Sequence, residues 1–199
     1  MEKDTYLSLA KSSEGFYKEK GSKFLAFAFP VSSEEEIKEK ILVLKKEYYD
    51  ARHHCYAYIL GKDATHYRAN DDGEPGHSAG DPILGQIRSH HLTDVLIVVV
   101  RYFGGTKLGV GGLIHAYKTA AADAIANNTI VKKIVTASIK IHFEYLSMNS
   151  VMKLIKDYDL KIVEQIFDNQ CFINFSVREK LRIDVVKKLK EMSGVEVEK

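Results

Sequence analysis

The residues best suited to chemistry fall between Asp94 and Asn127, in the stretch DVLIVVVRYFGGTKLGVGGLIHAYKTAAADAIAN. Gly104, Gly105, Gly109, Gly111 and Gly112 lie within nine residues, with Arg101 before them, Lys107 among them and His115 after. A backbone so dense in glycine can take positive φ and let another group come close. An apolar strand leads in and a small-residue helix leads out, so free N–H groups and the helix dipole would face an anion. That anion would be the phosphate of RNA or of a small molecule, with Arg101 and Lys107 as charge partners. His115 falls in the first helical turn, as a ligand contact or as an ordinary exposed histidine. A side chain at Gly111 would block the approach. Neither standard phosphate motif fits. Counted from Gly104 as a Walker A pattern, Val110 stands where lysine is required; counted from Gly109 as a dinucleotide fingerprint, the last glycine position is Ile114. A packing reading competes: the glycines, with Ala116, Ala120, Ala121 and Ala124, would let a helix lie close on a sheet.

A second candidate site is the acidic cluster Asp71, Asp72 and Glu74. Asp72 or Glu74 could help hold magnesium or act as a base; the alternative is ordinary turn chemistry. His53 and His54 are adjacent, and neighbours on a strand point to opposite faces, so no metal site is assigned to them. No Ser/His/Asp or zinc spacing is visible, so no catalytic residue and no cofactor is assigned. Cys55 and Cys171 have no partner spacing and read as buried free thiols in a reducing cytoplasm.

These residues need elements to position them. Val95 to Val100 is a continuous β-branched run, suited to a strand buried on both faces. The helix after the glycines should run from about Leu113 to Asn127, with Leu113, Ala116, Tyr117, Ala120 and Ala124 as its buried stripe and His115, Lys118, Thr119 and Asp123 off it. Residues 5–31 read as a hairpin whose second strand, FLAFAF, ends at Pro30. Ser32 and Ser33 before three glutamates mark a helix start, and that helix should end near Asp50. CYAYIL (55–60) is the next strand. Residues 61–82 read as a long polar loop, after which Asp81 caps a helix with Pro82 in its first turn. That helix carries Ile83, Leu84 and Ile87.

From about residue 135 the pattern changes. SIKIHF (138–143) alternates as a strand, and 148–158 is an amphipathic helix with Val151, Met152 and Ile155 as its apolar set. A hairpin about Asn169 and Gln170 joins 161–168 to 171–177; a helix over 181–192 and a strand over 195–197 complete the order βαββαβ. The chain therefore divides into 1–134 and 135–199. In the second part Phe167, Phe172 and Phe175 could stack on bases.

Composition excludes several classes. Of the 199 residues, 45% are hydrophobic and 28% charged, ordinary for a soluble globular protein. No apolar run approaches the ~20 residues of a membrane span, and no signal-peptide core is visible at the start. Residues 1–134 carry 18 Lys and Arg against 17 acids, and 135–199 carry 11 against 10. Neither part is broadly basic, so RNA contact would need a local patch, such as Arg101, Lys107 and Lys118.

Three stretches resemble one family: HHCYAY (53–58), ANDDGEPGHSAGDPIL (69–84) and VVVRYFGGTKLGVGGLIHAY (98–117). They look like the YigZ/Impact family, over residues 1 to about 130, and the second part of the chain fits the bacterial members. The family pattern has His-Asn-Cys where this chain has His53-His54-Cys55. It has Gly-Glu-Pro-Ser-Gly-Thr-Ala-Gly where residues 73–80 read Gly-Glu-Pro-Gly-His-Ser-Ala-Gly, so His77 stands at a glycine position. The resemblance implies an α+β protein. Its N-terminal α/β sandwich would be like that of a ribosomal-protein domain and elongation factor G domain IV, and its C-terminal ferredoxin-like βαββαβ domain like elongation factor G domain V. Both kinships, and the translational role of eukaryotic Impact proteins, point to RNA, the ribosome or the translation machinery as partner. Fold kinship alone does not fix function. Three functions follow: a non-catalytic translation-associated or RNA-binding factor, an enzyme acting on a phosphorylated small molecule, and a pure protein-interaction module.

Overall fold

The computed structural model describes residues 4–168 and 170–198. The fold is mixed α+β and divides into two compact units, Tyr6–Lys133 and Ile134 onward, with Asp4 and Thr5 grouped with the latter. The elements are β1 (Thr5–Leu9), β2 (Ser13–Glu19), β3 (Ser22–Pro30), α1 (Glu34–Glu47), β4 (His53–Leu60), β5 (His66–Asn70), α2 (Gly80–Ser89), β6 (Val95–Tyr102), α3 (Gly109–Ala126), β7 (Ile130–Ile134), β8 (Thr136–Phe143), α4 (Met148–Asp157), β9 (Lys161–Ile166), β10 (Cys171–Arg178), α5 (Glu179–Lys190) and β11 (Val195–Val197).

In the first unit a five-stranded antiparallel sheet has the order β2-β3-β6-β4-β5. β6 is its centre, and Val95 to Val100 are fully buried, as a run apolar on both faces requires. Alternation sends Val95, Ile97 and Val99 to a core shared with α2 and α3, and Leu96, Val98 and Val100 to a core shared with Ile37 and Leu44 of α1. α1 starts as the sequence predicts: the Ser33 hydroxyl accepts the Glu36 N–H, and Glu36 Oε2 accepts the Ser32 N–H.

α3 lies very close to the sheet. Ala116, Ala120, Ala121 and Ala124 are fully buried, and a Cβ on Gly15 of β2 would sit 2.3 Å from the Ala124 nitrogen. The packing reading of the alanines therefore holds, with a glycine far from the loop completing it. Of the loop glycines only Gly104 is demanded by close backbone packing: its Cβ would meet the Gly21 carbonyl carbon at 1.9 Å. Gly21 itself, with φ +80° beside Lys20 at +45°, makes the two-residue turn of the β2–β3 hairpin.

Three sequence expectations are corrected in this unit. The hairpin is 13–30 alone, because β1 pairs with β7 in a separate two-stranded sheet. Five residues of the polar segment 61–82 are not loop but the edge strand β5, paired with β4. Its side chains are largely exposed, so no apolar alternation marked it. Asp81 does not cap α2. The Asp71 carboxylate accepts the N–H groups of Ala79 and Gly80 at 2.9 and 2.8 Å, and also that of His77.

The second unit has a four-stranded sheet, β11-β8-β10-β9, with every neighbour antiparallel, in the element order βαββαβ. Its core draws on Ile139, Ile141, Phe143, Ile173 and Phe175 of the sheet and on Val151, Ile155, Val185 and Leu189 of the helices. Phe175 is fully buried and cannot stack on a base, whereas Phe172 lies on the other face beside His142, with ring centroids 5.1 Å apart. In α4 it is Leu154, not Met152, that joins Val151 and Ile155 in the core. Asn169, half of the expected turn, lies outside the described residues.

Candidate functional site

Strand register builds the site. His53 of β4 lies opposite Arg101 of β6, and two residues on Cys55 lies opposite Val99. His53, Cys55 and Arg101 therefore share the face covered by α3, while His54 points to the α1 face. The polar segment then turns back over this face. Asp72, at φ +41°, is anchored by its carboxylate, which accepts the His54 N–H at 2.7 Å and meets Lys45 Nζ at 3.3 Å. That turn swings Glu74 inward.

Glu74 ends in a buried polar network. Its Oε1 accepts Arg101 Nη1 at 2.6 Å and the Tyr117 hydroxyl at 2.8 Å. The Tyr117 hydroxyl lies 3.3 Å from Cys55 Sγ, which is also 3.0 Å from the Asp71 carbonyl oxygen. Burial, then the neighbouring Cys55 and Glu74, pushes the Tyr117 phenol far above its ordinary range, and burial does the same to the Cys55 thiol. Both are fully buried, and that burial favours their neutral, donating forms. Cys55 and Cys171 are both free and buried. His53 Nδ1 donates to the Asp72 carbonyl oxygen at 2.9 Å, and its Nε2 lies 4.0 Å from Glu74 Oε1.

Above this network opens a cavity of about 460 Å³. It is lined by Arg52, His53, Glu74, Pro75 and Arg101 on the sheet side and by Phe103, Lys107, Leu108, Gly109, Val110 and Leu113 on the loop and helix side. Thus Arg101, Lys107 and Gly109, named from the glycine loop, and Glu74, named from the acidic cluster, line one site. Asp72 belongs to the turn beneath it. Gly109, Gly111 and Gly112 lie in the first turn of α3, which starts four residues earlier than expected, and no side chain caps that end. Gly105 and Gly109 have positive φ, +86° and +72°. Gly111 has neither positive φ nor any atom within 4 Å of an added Cβ. Neither backbone conformation nor packing asks for glycine there. Gly104 serves packing, and Gly112 lies 3.0 Å from Leu108 Cβ on the same measure. His115 is exposed and stacks edge-on against Tyr17, at 5.7 Å.

Arg101 differs from its sequence role. It is 6% exposed, and its charge is met by Glu74. The free cations of the cavity are Lys107 and Arg52; among the described residues no carboxylate lies within ion-pair distance of either. Arg52 precedes β4, just outside the HHCYAY stretch, and only the register that brings β4 beside β6 reveals its place in the cavity. Among the described residues no group of three or more His, Cys, Asp or Glu is arranged to hold a metal. Asp71 and Asp72 are occupied by backbone donors, which accounts for that cluster as turn chemistry. Burial opposes the Asp71 charge, but the N–H groups of Gly80, His77 and Ala79 outweigh it and hold the carboxyl below its usual range.

Comparison with known proteins adds four findings. The Impact N-terminal domain family matches residues 20–125. The IMPACT family member YigZ of Escherichia coli is 33% identical over 156 residues, covering 77% of this chain and 76% of that one. The IMPACT family member YvyE of Bacillus subtilis is 41% identical over 112 residues, where the match spans 56% of this chain and about half, 52%, of the relative. A crystal structure of a hypothetical protein superposes with a TM-score of 0.75 at 27% identity, covering 98% of this chain and 96% of the other.

Proposed function

Because this chain belongs to the Impact family, we propose that it is a translation-associated regulatory factor that works by binding RNA at the cavity beside Gly109. The observation that carries this reading is the pairing of two unmatched cations, Lys107 and Arg52, with the uncapped first turn of α3 in one concave site. Such a turn presents N–H groups and the positive end of a helix dipole to an anion. The chain as a whole carries only +2, so contact would be confined to this patch and would not spread over the surface. The partner is RNA or the ribosome. The reading places the protein in the cytoplasm; no helix among the described residues is long and apolar enough to cross a membrane.

The test is co-sedimentation with ribosomes and filter binding of single-stranded RNA at two salt concentrations. Retention that falls with salt and is weakened in Lys107→Ala supports the reading; salt-insensitive or absent retention overturns it. One observation favours a second reading, an enzyme acting on a phosphorylated small molecule: the Asp72 carbonyl oxygen orients the His53 ring at the cavity wall, where imidazole is a general acid–base group. Release of phosphate from phosphomonoesters, abolished in His53→Gln, would establish it.

A further inference from the structure

Lys107, Arg52 and a helix start would suffice for a bare phosphate, yet the cavity has a second wall of different chemistry. Pro75, Phe103, Leu108, Val110 and Leu113 line it, and Phe103 and Val110 are each about half exposed. Exposed apolar side chains gathered at one concave place mark a binding surface. The Arg101 guanidinium lies 5.7 Å from the Phe103 ring centroid, so the arginine that closes the cavity floor also braces the ring. Arg101 Nε is buried and has no hydrogen-bond partner among the described residues. Glu74 lines the same cavity with a carboxylate, a group that accepts amino and imino N–H. The volume, about 460 Å³, falls within the ~300–1,000 Å³ of small-ligand pockets.

We propose that this cavity takes one nucleoside monophosphate unit, with its base flat on Phe103 and its phosphate against the first turn of α3 between Lys107 and Arg52. A cationic rim and an apolar aromatic wall match the two halves of a nucleotide. A base unstacked from its neighbours is what aromatic platforms on RNA-binding proteins receive, since every base offers a π-face. Gly111 does not line this cavity, so the phosphate contacts of the helix start fall to Gly109 and Val110. The unit can come from a terminal or splayed nucleotide of RNA or from a free nucleotide, and the chemistry recognised is the same. This inference rests on the RNA reading above and narrows it to a one-nucleotide subsite.

The test uses the full chain and saturation-transfer NMR with AMP, GMP, CMP and UMP, the four nucleosides and inorganic phosphate, followed by competition with a 5′-phosphorylated oligonucleotide. The expected result is nucleotide binding at least tenfold tighter than that of either nucleoside or phosphate. Phe103→Ala should weaken it about tenfold without lowering the melting temperature, because the ring is half exposed. Lys107→Ala should weaken nucleotide and phosphate but not nucleoside, again without loss of stability. Competition by the oligonucleotide assigns the unit to RNA, and its absence assigns it to a free nucleotide. If RNA is retained through Lys107 while no nucleotide binds, or while Phe103→Ala changes nothing, the subsite is wrong and the RNA reading stands. If RNA is not retained but nucleotides bind as described, the subsite stands and the RNA reading falls.

Discussion

Arg101 and Glu74, 27 residues apart in sequence, form a buried ion pair with Nη1 and Oε1 at 2.6 Å and both side chains under a tenth exposed. The pair ties the central strand to the turn that follows β5, and Tyr117 of α3 bonds to the same carboxylate oxygen. Removing one partner leaves a buried charge uncompensated, which typically costs more than the intact pair contributes. Glu74→Gln should therefore destabilise the fold by about 3 kcal/mol in urea unfolding. A loss below 1 kcal/mol would mean that the guanidinium finds water or another partner.

Gly104 and Gly111, seven residues apart, differ in what an added side chain would meet. Gly104→Ala places a Cβ against the Gly21–Ser22 backbone and should cost about 2 kcal/mol or more. Gly111→Ala meets nothing and should leave stability unchanged or raise it by about 0.5 kcal/mol, because alanine is the better helix former. Thermal melts of the two variants should move in opposite directions. Equal losses would show that Gly111 is a packing residue after all.

His54 gives stability a pH dependence. It is 5% exposed, and burial lowers its pKa, offset only in part by Asp72. Below about pH 6.5 the unfolded chain takes up a proton that the folded chain refuses, so stability is full above that pH and falls as the pH drops toward the folded pKa. His54→Asn, which restores the residue of the family pattern, should flatten the profile between pH 5 and 7. An unchanged slope would assign the dependence to another group.

His77 occupies the left-handed region, at φ +63°, where the resembled family has glycine. The Asp71 carboxylate holds its N–H, and its ring bonds to Asp81 at 2.7 Å, which raises its pKa. His77→Gly removes a strain of about 1 kcal/mol and loses an exposed pair of small worth, so it should be neutral or mildly stabilising. Asp71→Ala, by contrast, strips the acceptor from three N–H groups and should cost about 2 kcal/mol. Denaturant midpoints that fell equally for both would contradict this account of the turn.

These residues also show what the sequence could and could not tell. The run Val95 to Val100 and the alanines of α3 carry their burial in their own composition, so the central strand and the helix on it were readable. The βαββαβ order of the second unit was readable for the same reason, through clean alternation and helical spacing. β5 was not, because an exposed edge strand has no apolar period. The cap of α2 was not, because Asp71 acts from nine residues upstream through a folded turn. Arg101 and Lys107 looked alike as cations near glycines. Only the register that sets His53 opposite Arg101, and the turn that brings Glu74 beneath, distinguishes a charge already matched from one left free. Arg52, just outside the HHCYAY stretch, joins the cavity solely through that register.

The central claim is that Lys107 and Arg52 bind phosphate at the start of α3. Its most direct measurement is the salt dependence of single-stranded RNA binding by the parent chain, Lys107→Ala and Arg52→Ala. Each substitution should weaken binding several-fold and reduce the slope of log K against log salt by about 0.7, one phosphate contact each, while melting temperatures stay unchanged. Variants that bind with the parent's affinity and the parent's slope would contradict it.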